Sequence, residues 1–194
     1  MNVYEHLCKE AKRITASSLS DVHDKSHWDR TEAERRRLFI SMLGLTDHLA
    51  KARRPAKPVV TGVLNRSRYN VERLYFQSLP GLYVTANLYV PEGAVKPAPG
   101  VLYLCGHSLD QKHHYQAHAR KFADLGFVTL IIDTIERGEV RGHHHGPFHY
   151  GWFNWYSLGY TPAGVEVWNA MNAIDVLQSR PEVNPDRIGV TGIS

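Results

Sequence analysis

Three short apolar runs, separated by stretches of helical periodicity, constrain the fold more than any other feature of the chain. The runs are 101–105, 127–132 and 187–192. They do not alternate polar with apolar residues, which is typical of strands buried on both faces of a parallel sheet. Helices are predicted between them at 113–125 and 162–179. Because parallel strands need right-handed crossovers, this order predicts an α/β fold with a doubly wound sheet.

The second predicted helix begins with Pro162, which suits the first turn of a helix. Residues at helical spacing form one apolar stripe that we expect to pack on the sheet. Its members are Val167, Ala170, Met171, Ile174 and Leu177.

A different pattern, with a period of two, precedes the buried runs. Strands are predicted at 59–64, 69–77 and 82–90, with Pro80 and Gly81 as a turn between the last two. The alternation of apolar and polar residues predicts an antiparallel hairpin with one face in solvent.

The first fifty residues have helical periodicity. One face of the first predicted helix contains Val3, Leu7, Ala11 and Ile14. The spacing of Thr31 and Glu34 predicts a capping box at the start of a second helix, which is expected to end at Gly44. The polar stretch 47–57 is predicted to be a linker. We therefore expect residues 1–57 to form a helical extension and linker, and residues 58–194 to form the N-terminal part of the α/β domain.

Composition excludes several classes of protein. The 194 residues are 43% apolar and 22% charged, which is typical of a globular protein. The net charge of +4 comes from scattered basic residues without a nucleic-acid-binding motif, so we expect no nucleic-acid partner. The two cysteines are expected to stay reduced. No apolar stretch approaches the ~18 residues of a membrane span. The charged N-terminus has no secretory signal, which indicates a cytoplasmic protein. Secretion stays open if the true start of the protein lies upstream.

The chain ends in a motif with chemical meaning. Residues 187–194, RIGVTGIS, predict a buried strand that leads into Gly-x-Ser. A nucleophile elbow places its serine on a sharp turn between strand and helix, flanked by small residues. The alternative is that Ser194 only caps the next helix.

These segments together resemble a known family. VLYLCGHSLDQ, GFVTLIIDTIERGE and YTPAGVEVWNAMNAIDVLQSRPEVNPDRIGVTGIS are similar to the α/β-hydrolase superfamily, and most similar to its acetyl xylan esterase and cephalosporin-C deacetylase-like branch, near dienelactone hydrolase. The resemblance covers about residues 58–194, the N-terminal half of such a domain. It implies an ester hydrolase with a triad in the chain order serine, acid, histidine.

The resemblance assigns roles to individual residues. Ser194 matches the nucleophile, and the backbone N–H of His107 matches one donor of the oxyanion hole. Gly106 matches the glycine of that turn, whereas Cys105 stands where the family usually has histidine. The second donor, the acid and the catalytic histidine would follow Ser194, so the chain is expected to be a fragment that is inactive alone.

Other polar residues are predicted to have structural roles. Asp133 is expected to cap the loop that follows its strand, and Arg137 is expected to hold that loop through an ion pair. The triplet 143–145 and the pair His114 and His118 lack acidic or cysteine partners at ligand spacing, so no metal site is predicted. We also expect no cofactor.

The segment 134–161 is predicted to be a long irregular loop rich in aromatic residues. Trp152, Trp155 and Tyr156 are the candidate substrate-binding residues, because loops after parallel strands gather at the edge where ligands bind. Their rings could stack on a sugar or line an acyl pocket. The alternative is that they only pack the loop onto the domain.

The favoured function is therefore that of a carboxylic ester hydrolase that removes small acyl groups from a small-molecule substrate such as an acetylated carbohydrate. A serine peptidase or a dienelactone-type hydrolase remains an alternative on the same fold. A non-catalytic binding protein that has lost its triad is the alternative from another class.

Overall fold

The computed structural model describes residues 2–51, 54–140, 142–143 and 146–193. It divides into two compact units between Thr46 and Asp47. The first unit contains α1 (Val3–Ser17) and α2 (Lys25–Met42). A short helix, α3 (Thr46–Ala50), occupies part of the stretch predicted to be a linker. None of the described helices is long and apolar enough to cross a membrane.

The helical prediction for this region is confirmed, but the predicted start of α2 is wrong. Asp24 is the N-cap, and its side chain accepts a hydrogen bond from the backbone N–H of His27 at 2.7 Å. Thr31 lies inside the helix, where its hydroxyl donates to the carbonyl of His27 at 3.0 Å. A threonine in a helix can bond to the preceding turn in this way, so its distance from Glu34 does not by itself mark a helix start.

The second unit is built on one sheet within the described residues. Its strands are β1 (Val59–Asn65), β2 (Tyr69–Leu79), β3 (Leu82–Pro91), β4 (Ala98–Leu104), β5 (Val128–Ile132) and β6 (Val183–Gly192). The strand order is β1-β2-β3-β5-β4-β6. β4 pairs in parallel with both β5 and β6, whereas β1, β2, β3 and β5 pair with one another in antiparallel fashion. The three apolar runs therefore form the parallel part of the sheet, as predicted. The predicted burial on both faces is wrong for the third run, because β6 is the last strand in the order and most of its described residues are exposed.

The predicted hairpin is present, but the second half of β3 does not have a face in solvent. Tyr89 and Val71 are buried together with Ala119. The reason is that β3 lies inside the sheet, paired with β5, and α4 (Gln116–Asp124) covers this face. α4 begins later than predicted, because residues Gln111–His113 form a separate 3₁₀ turn.

The opposite face of the sheet packs on α7 (Pro162–Gln178), whose bounds agree with the prediction. The predicted stripe is confirmed in part. Leu177 is buried, and Ala170 and Ile174 pack against the core cluster. Val165, Trp168, Ala173 and Val176 are also buried, whereas Met171 is partly buried and Val167 is exposed. Two short helices, α5 (Gly146–His149) and α6 (Asn154–Ser157), also interrupt the segment predicted to be irregular.

Candidate active site

The carboxyl ends of β4, β5 and β6 meet at one edge of the sheet. Leu104 is the register partner of both Ile132 and Gly192. A Cβ atom on Gly192 would lie 2.5 Å from the carbonyl oxygen of Leu104, so only glycine allows the two strands to approach this closely. Ser194, the predicted nucleophile, lies outside the described residues, two positions beyond this contact.

The turn that carries His107 is braced by a buried glutamine. The side-chain nitrogen of Gln111 donates to the carbonyls of Gly106 at 2.9 Å and of Ser108 at 2.6 Å. In a trans peptide the N–H points opposite to the carbonyl of the preceding residue. Because the Gly106 carbonyl faces Gln111, the backbone N–H of His107 points away from it. The Gln111 side chain therefore helps to orient the peptide that carries the predicted oxyanion donor.

Gln111 also connects this turn to the neighbouring strand. Its side-chain oxygen accepts from the backbone N–H and the hydroxyl of Thr134, both at 3.1 Å. The residue is fully buried. Sequence reasoning missed it, because a glutamine between polar residues has the pattern of an exposed loop.

A second buried group beside it was also missed. The ammonium of Lys112 forms an ion pair with Asp133 and reaches Glu139 at 2.7 Å. Asp133 accepts further hydrogen bonds from the backbone of Lys112 at 3.1 Å, from the hydroxyl of Thr85 at 2.7 Å and from the backbone of Glu139 at 3.3 Å. The prediction that Asp133 caps the loop after β5 is therefore confirmed.

The predicted ion pair of Arg137 is not found among the described residues. Lys112 makes the ion pairs at this loop, and the buried Nε of Arg137 has no hydrogen-bond partner among the described residues.

The turn of His107 opens into a cavity of about 790 Å³. Gly106, His107, Thr134 and Glu166 line its end at the sheet edge, and Tyr156 lies on its wall. Its remaining floor is apolar, formed by residues of the sheet and α7, namely Leu102, Leu104, Ile132, Val190, Val167, Ala170, Met171 and Ile174. We call this space the His107 cavity.

The structure separates the three candidate substrate-binding residues. Tyr156 lines the His107 cavity and is 52% exposed. Trp155 lines a different, smaller cavity. Trp152 contacts the ring of His143 at a centroid distance of 5.2 Å and lies over Gly146, where a Cβ atom would collide with its ring. Packing of the loop is thus an evident role for Trp152.

Cys105 also lines the His107 cavity. Burial raises the pKa of its thiol to about 12, and the nearby negative charge of Asp133 adds to the effect. The thiolate is the nucleophilic form of cysteine, so this side chain packs as a neutral group at neutral pH.

The described histidines take part in local contacts. Nδ1 of His118 is 2.7 Å from the hydroxyl of Tyr103, and the ring of His114 packs edge-on against Tyr115. Among the described residues, no group of three potential ligands is placed to hold a metal ion. His144 and His145 of the triplet lie outside those residues.

Glu166 is the carboxylic acid that lines the His107 cavity. One carboxylate oxygen accepts a hydrogen bond from the backbone of Ile135 at 2.9 Å. Burial raises the pKa of this carboxyl from 4.5 to about 7, against the opposing effect of that hydrogen bond. Its charge therefore changes near neutral pH.

Replacing Glu166 with glutamine is expected to make stability less dependent on pH. The folded chain holds the Glu166 proton up to a pH of about 7 and the unfolded chain only up to about 4.5. Between these values the folded state binds more protons, so the free energy of unfolding falls as pH rises. At about 1.4 kcal/mol per pKa unit, the fall is at most about 3 kcal/mol. Urea unfolding of both proteins at pH 5 and pH 8 measures it. Parallel pH dependences would contradict the prediction.

Comparison with known proteins agrees with this architecture. No family model matches the chain. The curated protein YtaP of Bacillus subtilis (strain 168), named as a hydrolase, is 27% identical over 175 residues, which are 84% of this chain and 56% of YtaP. The structure of methylesterase BT1017 superposes with a TM-score of 0.71 at 21% identity, covering 96% of this chain and 40% of that one.

An acetyl xylan esterase from Paenibacillus sp. R4 superposes with a TM-score of 0.61 at 19% identity, covering 79% of this chain and 51% of its own. The chain therefore spans about half the length of the relatives it matches. The predicted resemblance to the acetyl xylan esterase branch is confirmed at the level of the fold. The described part of the chain has the α/β-hydrolase fold that it shares with these esterase structures.

Proposed function

We propose that the protein is a carboxylic ester hydrolase with Ser194 as its nucleophile. The observation that carries the proposal is the braced turn of His107, which stands beside the end of the strand that leads to Ser194. An oxyanion hole needs donors held in place before the reaction, and the bonds of Gln111 supply this rigidity.

In the proposed mechanism the hydroxyl of Ser194 attacks the ester carbonyl while a histidine accepts its proton. The backbone N–H of His107 donates to the oxyanion that develops on the carbonyl oxygen. Collapse of the tetrahedral intermediate releases the alcohol, and water then hydrolyses the acyl-enzyme. We assign the histidine and its acid partner to sequence beyond residue 194, where the family resemblance expects them.

The proposed substrates are esters of small acyl groups with carbohydrate-like alcohols. The name of the Paenibacillus protein supports this class, and so does the half-exposed ring of Tyr156 in the His107 cavity. An exposed aromatic ring beside an ester site offers a face on which a sugar can stack.

Replacing Tyr156 with alanine is expected to raise KM for an acetylated xyloside several-fold and to leave kcat nearly unchanged. The reason is that stacking contributes to binding in the ground state and the transition state alike. The KM for p-nitrophenyl acetate, which has no sugar, is expected to change less. Equal losses of kcat for both esters would show that Tyr156 only supports the fold.

Residues 1–194 expressed alone are expected not to react with a fluorophosphonate, since we place the base that activates Ser194 outside them. The apolar floor of the His107 cavity, which no described segment covers, is also expected to favour aggregation. Measurements of solubility, thermal unfolding and fluorophosphonate labelling of residues 1–194 test both expectations. A soluble chain that unfolds cooperatively and takes the label at Ser194 would contradict the prediction.

The proposal itself is tested on a chain extended past Ser194 to the length of its relatives. Acetylated xylosides, p-nitrophenyl esters of increasing acyl length and a peptide p-nitroanilide are offered in parallel. Turnover that is highest for acetyl esters supports the proposal. Turnover of the anilide alone would favour a peptidase, and turnover of none would contradict the proposed ester hydrolase activity.

A further inference from the structure

The carboxyl group of Glu166 has no part in the proposed mechanism, yet it lies in the wall of the His107 cavity. It is partly buried near the start of α7, and its Oε1 accepts from the backbone of Ile135 at 2.9 Å. Its Oε2 makes no hydrogen bond to another described residue and is not among the buried oxygens that lack a partner, so it stays accessible to solvent. Glu166 therefore presents one oxygen to the cavity.

The charge of this carboxylate has no counter-charge in the described part of the chain. Its surroundings act on it through burial and the bond from Ile135, and no ion pair with a described residue involves it. Lys112, the buried cation of this region, is already paired with Asp133. Of the described residues that line the His107 cavity, Glu166 alone carries a carboxyl group.

The charge of Glu166 acts on the turn that carries the predicted oxyanion donor. Burial and the charge of Asp133 raise the pKa of the Cys105 thiol to about 12, and the charge of Glu166 adds to this effect. Cys105 directly precedes Gly106 and His107. An ester held at His107 would therefore lie in the field of Glu166, and the apolar floor of the cavity screens that field less than water does.

We propose that Glu166 makes the His107 cavity select esters by charge, accepting neutral and cationic ones and disfavouring those that carry a negative charge near the ester bond. A bound anion would meet a like charge that no counter-ion neutralises. A hydroxyl or a cation would instead meet the acceptor Oε2. The kinetic form of this inference rests on the proposed esterase function.

Four esters test the proposal on the extended chain. Three are phenyl acetates whose para substituent is nitro, sulfonate or trimethylammonium, so that the charge lies on the alcohol. The fourth, the p-nitrophenyl monoester of succinate, carries its negative charge on the acyl group. The measured quantity is kcat/KM of Glu166→Gln divided by that of the parent, in which the intrinsic reactivity of each ester cancels.

The ratio is expected to rise about tenfold for at least one anionic ester, because Glu166→Gln removes the repulsion. It is expected to fall several-fold for the trimethylammonium ester and to stay near one for the nitro ester. A rise for the sulfonate places the alcohol beside Glu166, and a rise for the succinate places the acyl group there. Ratios near one for both anionic esters would overturn the proposal.

Asp186→Asn is the matched control, because it removes a negative charge from an exposed side chain nearer the start of β6. All four ratios are expected to stay near one in this variant. A rise for the anionic esters as large as that in Glu166→Gln would show an effect of net charge alone and would overturn the assignment to Glu166.

The pH dependence of the parent decides the matter if Glu166→Gln fails to fold. Burial raises the pKa of Glu166 to about 7, so the carboxylate is lost as pH falls from 8.5 to 5.5. The preference for the trimethylammonium ester over the sulfonate is expected to weaken over that range, while both substituents keep their charge. Protonation of the catalytic histidine slows both esters alike and cancels in their ratio. A constant preference would overturn the proposal.

Other titratable groups surround Glu166, namely Cys105, His107, Tyr156 and the pair of Lys112 with Asp133. Protonation of the His107 ring would also weaken the preference for a cation. His107→Gln keeps the backbone donor and removes the ring, so the pH dependence is expected to persist in it. Loss of the pH dependence in His107→Gln would overturn the assignment to Glu166.

Binding without turnover separates this inference from the proposed function. Phenyltrimethylammonium and benzenesulfonate, which contain no ester, are titrated calorimetrically into the extended chain with Ser194→Ala. The cation is expected to bind more tightly, and the difference is expected to vanish when Glu166→Gln is added. If this difference is found and no ester is cleaved, the esterase proposal fails and charge selection stands. If esters are cleaved and the difference is absent, charge selection alone is overturned.

Discussion

Replacing Ser194 with alanine in the extended chain is expected to lower kcat for p-nitrophenyl acetate by roughly 10⁶-fold, the loss seen when a serine protease loses its nucleophile. The reason is that the covalent path disappears, while the donor at His107 can still stabilise only a slow attack by water. The free energy of unfolding is expected to change by less than about 1 kcal/mol, since one hydroxyl contributes little to packing.

Ser67→Ala is the matched control, because Ser67 is exposed in the turn between β1 and β2. It is expected to keep full activity. Labelling by a fluorophosphonate, located by peptide mass, is expected at Ser194 in the parent and in Ser67→Ala and to be absent in Ser194→Ala. Retained turnover and label in Ser194→Ala would refute the assignment of the nucleophile.

The central strands could be predicted because burial on both faces leaves a direct trace in sequence. A strand such as β5, buried along its whole length, has few positions for polar residues. The orientation of α7 could be predicted only in part. Its buried positions and the groove positions beside them are both apolar, so the predicted stripe includes the exposed Val167 and omits Ala173 and Val176, which are buried in the core.

The site could be predicted only where its chemistry lies in local sequence. Gly-x-Ser after a parallel strand is such a pattern, and the close approach of Gly192 to Leu104 explains its glycine. Gln111 and Lys112 have no such pattern, because their partners are contributed by other segments. Nothing in their neighbours distinguishes a buried pair from a charged loop.

Replacing Lys112 with methionine is expected to cost about 3–5 kcal/mol of the free energy of unfolding, because it leaves the buried carboxylate of Asp133 without its counter-charge. The remaining hydrogen bonds, from Thr85 and from the backbone of Lys112 and Glu139, solvate the charge only in part. Urea unfolding of the extended chain with and without the substitution measures it.

Two further variants separate the buried pair from the surface charge beside it. The Glu139 side chain is 60% exposed, so solvent screens its contact with Lys112 and Glu139→Gln is expected to cost less than about 1 kcal/mol. Combining Lys112→Met with Asp133→Asn removes both charges of the buried pair. This double variant is expected to recover much of the stability that Lys112→Met alone loses, because the amide oxygen of asparagine can still accept from Thr85. A double variant less stable than the single one would show that the cost lies in the packing of the lysine chain, and that the unpaired charge of Asp133 is not its source.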